Sequence, residues 1–133
     1  MIECEQELTG LDRAIEIALY AHANDDDKGG EPYIRHPLRV MEAMDTETER
    51  IVAVLHDVVE DSEGTLNQIE KEFDGEVRNA VDALTKDEEI RKQMDDKEYY
   101  LTEFIPQAAD NEIARKVKRA DIKDNMEGSY RRQ

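Results

Sequence analysis

The chain has 133 residues, with 18 lysines and arginines against 34 aspartates and glutamates, and a formal net charge of −16. Duplex nucleic acid and anionic membrane surfaces are therefore poor partners, because binding them requires clustered cations. The longest apolar run, 51–55, is too short for a transmembrane helix, and the N-terminus is acidic where a signal peptide would be basic. The single cysteine also favours a cytoplasmic protein, and the length predicts one domain over 1–133.

Helical periodicity dominates the chain, and no stretch shows the sustained alternation that is typical of a strand. Apolar residues spaced three and four apart from Leu11 to Leu19 predict a first helix, which we expect to end near Asn24. The acidic, glycine-containing segment 25–30 predicts a loop. Pro37 suits the first position of a second helix.

Two capping boxes predict where the next helices begin. Thr46 with Glu49 opens a third helix, and Thr65 with Gln68 opens a fourth. Each motif pairs a hydroxyl at the cap with a longer polar side chain three residues later, so that both satisfy backbone N–H groups at the helix start.

The second half of the chain is predicted to be helical as well. Apolar spacing indicates a fifth helix around 77–84 and a seventh around 113–120. A sixth around 100–105 should end or kink at Pro106. The nearly all-charged segment 87–98 is a solvated loop or helix extension, in preference to a mobile lid. The sequence therefore predicts an all-α fold.

The third helix carries the residues with the most chemical information. On a helical wheel of about 100° per residue, its apolar residues share one arc. The titratable residues share the other arc, and they are His56, Asp57, Glu60 and Asp61. Such a group is costly unless a cation is present, and imidazole with carboxylate suits Mn, Fe or Zn. Alone, one His-Asp pair is a weak signal.

Two further residues strengthen the metal hypothesis. His36 precedes Pro37 at the start of the neighbouring helix, and Asp121 lies on the seventh helix with Asn125 four residues later on the same face. Taken singly, His36 is also compatible with a helix cap or a core histidine. Asp121 is also compatible with an acidic surface residue.

Four sequence blocks resemble the hydrolase domain of the RelA/SpoT family, which belongs to the HD-domain phosphohydrolases. Residues 30–40, GEPYIRHPLRV, resemble the family's G-E-P-Y-I-x-H-P-L-x-V, and 55–62, LHDVVEDS, resemble L-H-D-x-x-E-D-T/S. Residues 73–77 and 84–86 resemble F-G-x-E-V … V-T-K, and 117–126, VKRADIKDNM, resemble V-K-L-A-D-R-x-x-N-M. Several blocks in the same order are more specific than any one of them.

The resemblance implies an all-α HD-domain helical bundle that holds a divalent metal, Mn²⁺ in most members. The implied metal ligands are His36, His56, Asp57 and Asp121. Glu60 and Asp61 match the family's catalytic acidic pair, which orients and activates the attacking water. By resemblance, the reaction removes the 3′-pyrophosphate of the guanosine polyphosphates ppGpp and pppGpp, giving GDP or GTP and pyrophosphate.

The resemblance also implies a small nucleotide as the partner. Asn125 matches a nucleoside contact, and Lys28 matches a basic position in the substrate loop. Since so acidic a chain needs a local cationic patch to hold a polyphosphate, Arg39 and Lys86 are further candidate substrate-binding residues.

Departures from the family pattern leave the nucleotide open. Asp27 stands where the long enzymes carry arginine, and Ile122, Asp124 and Gly128 stand where they carry Arg, His and Thr. The metal and acidic positions therefore match better than the positions that read the nucleotide. The alternatives are ppApp, the 2′-phosphate of NADPH, a nucleoside monophosphate, or a metal- and nucleotide-binding sensor without turnover.

Overall fold

The computed structural model describes the backbone of residues 6–59 and 63–131, and this part of the chain is helical. The helices are α1 Gly10–Ala21, α2 Arg35–Glu42, α3 Glu47–Leu55, α4 Glu63–Glu72, α5 Gly75–Ala83, α6 Glu88–Arg91, α7 Asp96–Tyr99, a π-helix Tyr100–Phe104, α8 Ile105–Ala109 and α9 Glu112–Arg131. Within those ranges the extended structure is limited to an isolated bridge between Asp26 and Pro32. The all-α prediction is confirmed.

Helix α3 lies at the centre of the bundle and packs against α1, α2, α5 and α9. All five residues from Ile51 to Leu55 are buried. Fully buried Ala14 and Ala18 of α1 face the same core, where small side chains allow two helices to approach closely. The end of α3 is therefore a rigid position from which side chains can be aimed.

We expect Leu55→Ala to lower the free energy of unfolding by about 2–5 kcal/mol, since it removes a buried side chain and leaves a cavity. Leu55 is 0% exposed and directly precedes His56. Leu101→Ala is the matched control, because Leu101 is 56% exposed and its truncation should change stability by about 0.5 kcal/mol or less. Urea unfolding curves measure both values, and equal losses would contradict the assigned core.

The predicted cap of α3 is confirmed, whereas that of α4 is wrong. Thr46 Oγ1 accepts a hydrogen bond from the Glu49 backbone N–H at 3.1 Å, and Glu49 Oε1 accepts one from the Thr46 N–H at 3.1 Å. Helix α4 begins at Glu63, so Thr65 lies inside it. A capping motif acts as a cap only where the preceding residue leaves the helix, and here the helix already includes the two residues before Thr65.

The boundaries of α1 and α2 also differ from prediction. Helix α1 ends at Ala21, before Asn24, which adopts a left-handed backbone with φ of 67°. Helix α2 begins at Arg35, which places Pro37 at the third helical position. Proline is tolerated there because the first four N–H groups of a helix have no intrahelical partner. As a result, His36 lies within the first turn of α2.

The sixth helical segment does not end at Pro106, because the π-helix Tyr100–Phe104 continues into α8, which contains Pro106. Proline has no N–H to donate to the preceding turn, and the change from π-helix to α-helix falls beside it. The charged segment 87–98 contains α6 and most of α7, and these helices are capped by Asp87 and Asp95. No helix in the described ranges is both long enough and apolar enough to cross a lipid bilayer.

Candidate metal centre

Four side chains predicted to bind a metal converge at one end of α3. They are His36, His56, Asp57 and Asp121, and one ligand atom from each lies within 4.8 Å of the others. His36 comes from the first turn of α2, His56 and Asp57 follow α3, and Asp121 comes from α9. Asp57 is exposed and the other three are buried, so the group opens to solvent at Asp57.

The prediction that His56 and Asp57 lie on one face of the third helix is wrong, because α3 ends at Leu55. A turn follows, in which the Val58 N–H donates to the Leu55 carbonyl at 3.0 Å. His56 Nδ1 lies within hydrogen-bonding distance of the Ala53 carbonyl, one of the C-terminal carbonyls that the helix leaves unpaired. This turn, and not a helical face, positions His56 and Asp57. Glu60 and Asp61, the predicted catalytic pair, lie outside the described residues.

The orientation of His56 fits metal ligation. With Nδ1 directed at the Ala53 carbonyl, Nε2 points toward the carboxylates, 3.1 Å from Asp57 Oδ2 and 3.4 Å from Asp121 Oδ1. Nε2 is buried and makes no hydrogen bond to any described residue. An unsatisfied buried nitrogen is costly, and a divalent cation between these atoms would satisfy it. The donor set of two imidazoles and two carboxylates therefore fits a divalent metal.

Electrostatics keep both carboxylates ionised. Without a cation, burial opposes charge on His56, but Asp121 and Asp57 outweigh burial and raise its pKa to about 10. A divalent metal would have to displace the Nε2 proton at neutral pH. Partial burial of the Asp57 side chain, which is 33% exposed, opposes its ionisation, but His56 and the Tyr33 hydroxyl lower the pKa of Asp57 to about 2. The pKa of Asp121 is also lowered, chiefly by His36 and His56, against the effect of burial. The site thus presents negative oxygens to a cation over the whole neutral pH range.

Two residues around the ligands were not identified as site residues from the sequence. The Tyr33 hydroxyl donates a hydrogen bond to Asp57 Oδ2. Asp124 Oδ2 lies 2.6 Å from His36 Nδ1. The available signals were the tyrosine of the GEPY block and the spacing of three between Asp121 and Asp124, which puts both carboxylates on one face of α9.

A cavity of about 600 Å³ opens beside His56 and Asp57 and is lined in part by Lys86, Lys118 and Phe104. Lys118 Nζ donates to Asp121 Oδ2 at 3.0 Å and lies 5.1 Å from the centre of the Phe104 ring. Lys86 Nζ lies 5.7 Å from the same ring centre. Two ammonium groups thus face a cavity that reaches the candidate ligands. We call this space the lysine cavity.

The other predicted substrate contacts have different environments. Lys28 is exposed in the loop between α1 and α2. Asn125 Nδ2 lies 3.5 Å from Asp121 Oδ1. Arg39 makes two hydrogen bonds to Asp124. Their roles in binding a substrate stay predictions, as does that of Lys86.

Asp57 also borders a second cavity, of about 580 Å³. Its lining includes His22, Tyr33, Asp25 and Asp26. We call this space the acidic cavity. The two cavities meet the candidate ligands at Asp57 but differ in charge. Lys86 and Lys118 line the first cavity together with Glu88. Asp25 and Asp26 line the second, which has no lysine or arginine among the described residues of its lining.

Comparison with known proteins identifies the class to which this fold and site belong. Residues 14–124 match a family model described as HD domain, and the chain therefore belongs to the HD-domain family. The HD signature is the set of histidines and aspartates that the structure brings together here. The family resemblance drawn from the sequence blocks is confirmed.

Within the HD-domain family, this chain is similar to proteins named as guanosine-3′,5′-bis(diphosphate) 3′-pyrophosphohydrolases. The guanosine-3′,5′-bis(diphosphate) 3′-pyrophosphohydrolase of Aquifex aeolicus (strain VF5) is 35% identical over 121 residues, which cover 87% of this chain and 17% of that protein. The pyrophosphohydrolase MESH1 of Mus musculus is 35% identical over 94 residues, covering 65% of this chain and 52% of that one. The chain thus spans about half or less of these curated relatives' length.

A solved structure shows the same architecture. It is described as "A metazoan ortholog of SpoT hydrolyzes ppGpp and plays a role in starvation responses" and shares 26% sequence identity with this chain. The TM-score is 0.72, with 93% of this chain and 72% of that chain covered. The likeness therefore extends over nearly the whole helical bundle.

Proposed function

We propose that this chain is a metal-dependent pyrophosphohydrolase that removes the 3′-pyrophosphate of ppGpp and pppGpp, giving GDP or GTP and pyrophosphate. The convergence of His36, His56, Asp57 and Asp121 supports this proposal most directly, since it joins the HD signature to a donor set that fits a divalent cation. The names of the relatives support the choice of substrate. A cytoplasmic location, one domain over 1–133 and Mn²⁺ as the metal belong to the same proposal.

The four converging side chains would hold the cation. When bound, a divalent cation acidifies water and offsets the charge of phosphate oxygens. Glu60 and Asp61 then orient the attacking water and take its proton. The water oxygen bonds to the phosphorus attached to the ribose 3′ oxygen, the bond between that phosphorus and the 3′ oxygen breaks, and the 3′ oxygen receives a proton.

The lysine cavity supplies the positive charge that a polyphosphate needs. Lys86 and Lys118 face it beside His56 and Asp57, so a phosphate held near the candidate ligands lies within reach of both ammonium groups. We assign Asn125 to the nucleoside part of the substrate, and Lys28 and Arg39 to the cationic groups that bind it. The net charge of −16 makes such a local cluster necessary, because the remaining surface repels phosphate.

One observation favours a second candidate, hydrolysis of another nucleotide at the same metal. The acidic cavity beside Asp57 carries Asp25 and Asp26, and the segment that supplies them has Asp27 where the long enzymes carry arginine. Carboxylates there change which base or sugar group can be accommodated. Candidates are ppApp, the 2′-phosphate of NADPH and nucleoside monophosphates.

A hydrolysis screen tests both candidates. Purified protein with Mn²⁺ is incubated with ppGpp, pppGpp, ppApp, NADPH and nucleoside monophosphates, and products are separated by anion-exchange chromatography. We expect GDP and pyrophosphate from ppGpp, no products in EDTA, and recovery of activity with excess Mn²⁺. Turnover of a different nucleotide alone would support the second candidate. Absence of turnover across the panel, with Mn²⁺ binding demonstrated, would contradict both and support a sensor.

A further inference from the structure

His36 is held between two carboxylates of α9. Its Nε2 lies 2.6 Å from Asp121 Oδ1, and its Nδ1 lies 2.6 Å from Asp124 Oδ2. The His36 side chain is 8% exposed and that of Asp124 is 10% exposed, so both are shielded from water. The two ring nitrogens thus have different partners, one among the candidate ligands and one outside that set.

Arg39 fixes the Asp124 carboxylate in turn. Its Nε donates to Asp124 Oδ1 at 2.8 Å, and its Nη2 donates to Asp124 Oδ2 at 3.1 Å. Such a two-pronged pair holds a carboxylate in one plane and supplies the counter-charge that a buried carboxylate needs. Both oxygens of Asp124 are therefore engaged by Arg39 or His36.

A histidine that binds a metal through Nε2 must carry its proton on Nδ1. An acceptor at Nδ1 selects that tautomer and fixes the plane of the ring. Asp124 is that acceptor for His36, just as the Ala53 carbonyl is the acceptor for His56. The partner of His56 is a backbone carbonyl three residues earlier in the chain, whereas the partner of His36 is a side chain 88 residues away in the sequence.

We propose that Asp124 and Arg39 are positioning residues, which set the tautomer and ring orientation of His36 for binding the divalent metal. The inference rests on the metal-dependent function proposed above. Asp124 occupies the position where the long RelA/SpoT enzymes carry histidine, so the sequence difference has a structural role in this chain. Arg39 acts here through Asp124, in addition to any contact with substrate.

Metal affinity measured on the purified chain tests the proposal without any substrate. Electron paramagnetic resonance of free Mn²⁺ gives the Kd. We expect Asp124→Ala to weaken Mn²⁺ binding about 10–100-fold, the range found when a residue hydrogen-bonded to a metal ligand is removed. Asp124→Asn keeps an oxygen acceptor for His36 and should recover most of that loss. The control is Glu127→Gln on the exposed face of α9, which should bind Mn²⁺ like the wild type.

Arg39→Gln should weaken binding less than Asp124→Ala, because the acceptor remains. The double variant Arg39→Gln/Asp124→Ala should be no weaker than Asp124→Ala alone, since Arg39 acts only through Asp124 in metal binding. Additive losses would contradict that dependence. Urea unfolding of each variant shows whether the bundle is intact. If Asp124→Ala does not fold, the Mn²⁺ Kd of Asp124→Asn is compared with that of the wild type instead.

Histidine NMR gives a signature that a general loss of stability would not produce. The chain has three histidines, so the long-range ¹H–¹⁵N spectrum of ¹⁵N-histidine protein with Zn²⁺ contains few signals. We expect His36 of the wild type to show the Nδ1–H tautomer, and Asp124→Ala to lose it. Wild-type Kd and tautomer in Asp124→Ala would overturn the inference. Failure of the wild type to bind Mn²⁺ would instead overturn the proposed function.

Discussion

Asp121→Asn should abolish tight binding of divalent metal and, with it, hydrolysis. The Asp121 carboxylate meets both histidines, with Oδ1 at 2.6 Å from His36 Nε2 and 3.4 Å from His56 Nε2. The amide that replaces it has nearly the same shape but no negative charge. Because loss of a residue that only hydrogen-bonds to a ligand costs about 10–100-fold, we expect loss of this ligand to cost more than about 100-fold in Mn²⁺ affinity.

A control variant distinguishes the effect of the Asp121 carboxylate on Mn²⁺ affinity from the effect of the chain's net charge. Asp82→Asn, on the exposed side of α5, removes an equal charge and is the matched control. Calorimetric titration with Mn²⁺ gives both affinities, and the chromatographic assay gives both rates. Retention of wild-type Mn²⁺ affinity by Asp121→Asn would exclude this carboxylate as a ligand. A similar decrease in both variants would show that only the net charge matters.

The second large effect is expected from Glu60→Gln combined with Asp61→Asn. These two residues directly follow the buried Val59 in the sequence and, by resemblance, match the acidic pair of the family. General acid-base groups contribute about 10²–10⁴-fold to a rate, so turnover should decrease by that factor. Mn²⁺ affinity should remain near that of the wild type, because neither residue belongs to the proposed ligand set.

The contrast between affinity and rate makes this prediction specific. Single variants Glu60→Gln and Asp61→Asn show whether one residue or both move the proton. A double variant that loses Mn²⁺ binding together with turnover would place the pair among the ligands. A double variant with unchanged turnover would remove the pair from the mechanism and leave proton transfer to other groups.

Features with local causes were predictable from the sequence. Thr46 and Glu49 satisfy each other's backbone N–H groups within one turn, so their spacing alone specifies the start of α3. The burial of this part of α3 on all sides follows from the unbroken apolar run from Ile51 to Leu55. The turn after Leu55 was missed, because the contact of His56 with the Ala53 carbonyl competes with continuation of the helix.

Features with distant partners were not predictable in the same way. The two-pronged contact of Arg39 with Asp124 joins residues 85 positions apart, and each alone has the pattern of a surface charge on a helix. His36 and Asp121 could be paired only because the family resemblance joined them. Tyr33 stands in a recognised block, but its hydrogen bond to Asp57 depends on how α2 packs on α3.

A cation bound by the candidate ligands would cross-link helices as well as take part in the proposed reaction. His36 belongs to α2, His56 follows α3, and Asp121 belongs to α9, 85 residues from His36 in the sequence. A ligand that binds only the folded state at about 100 times its Kd adds about 2.7 kcal/mol of stability. We therefore expect removal of the metal to lower the stability of the folded chain as well as its turnover.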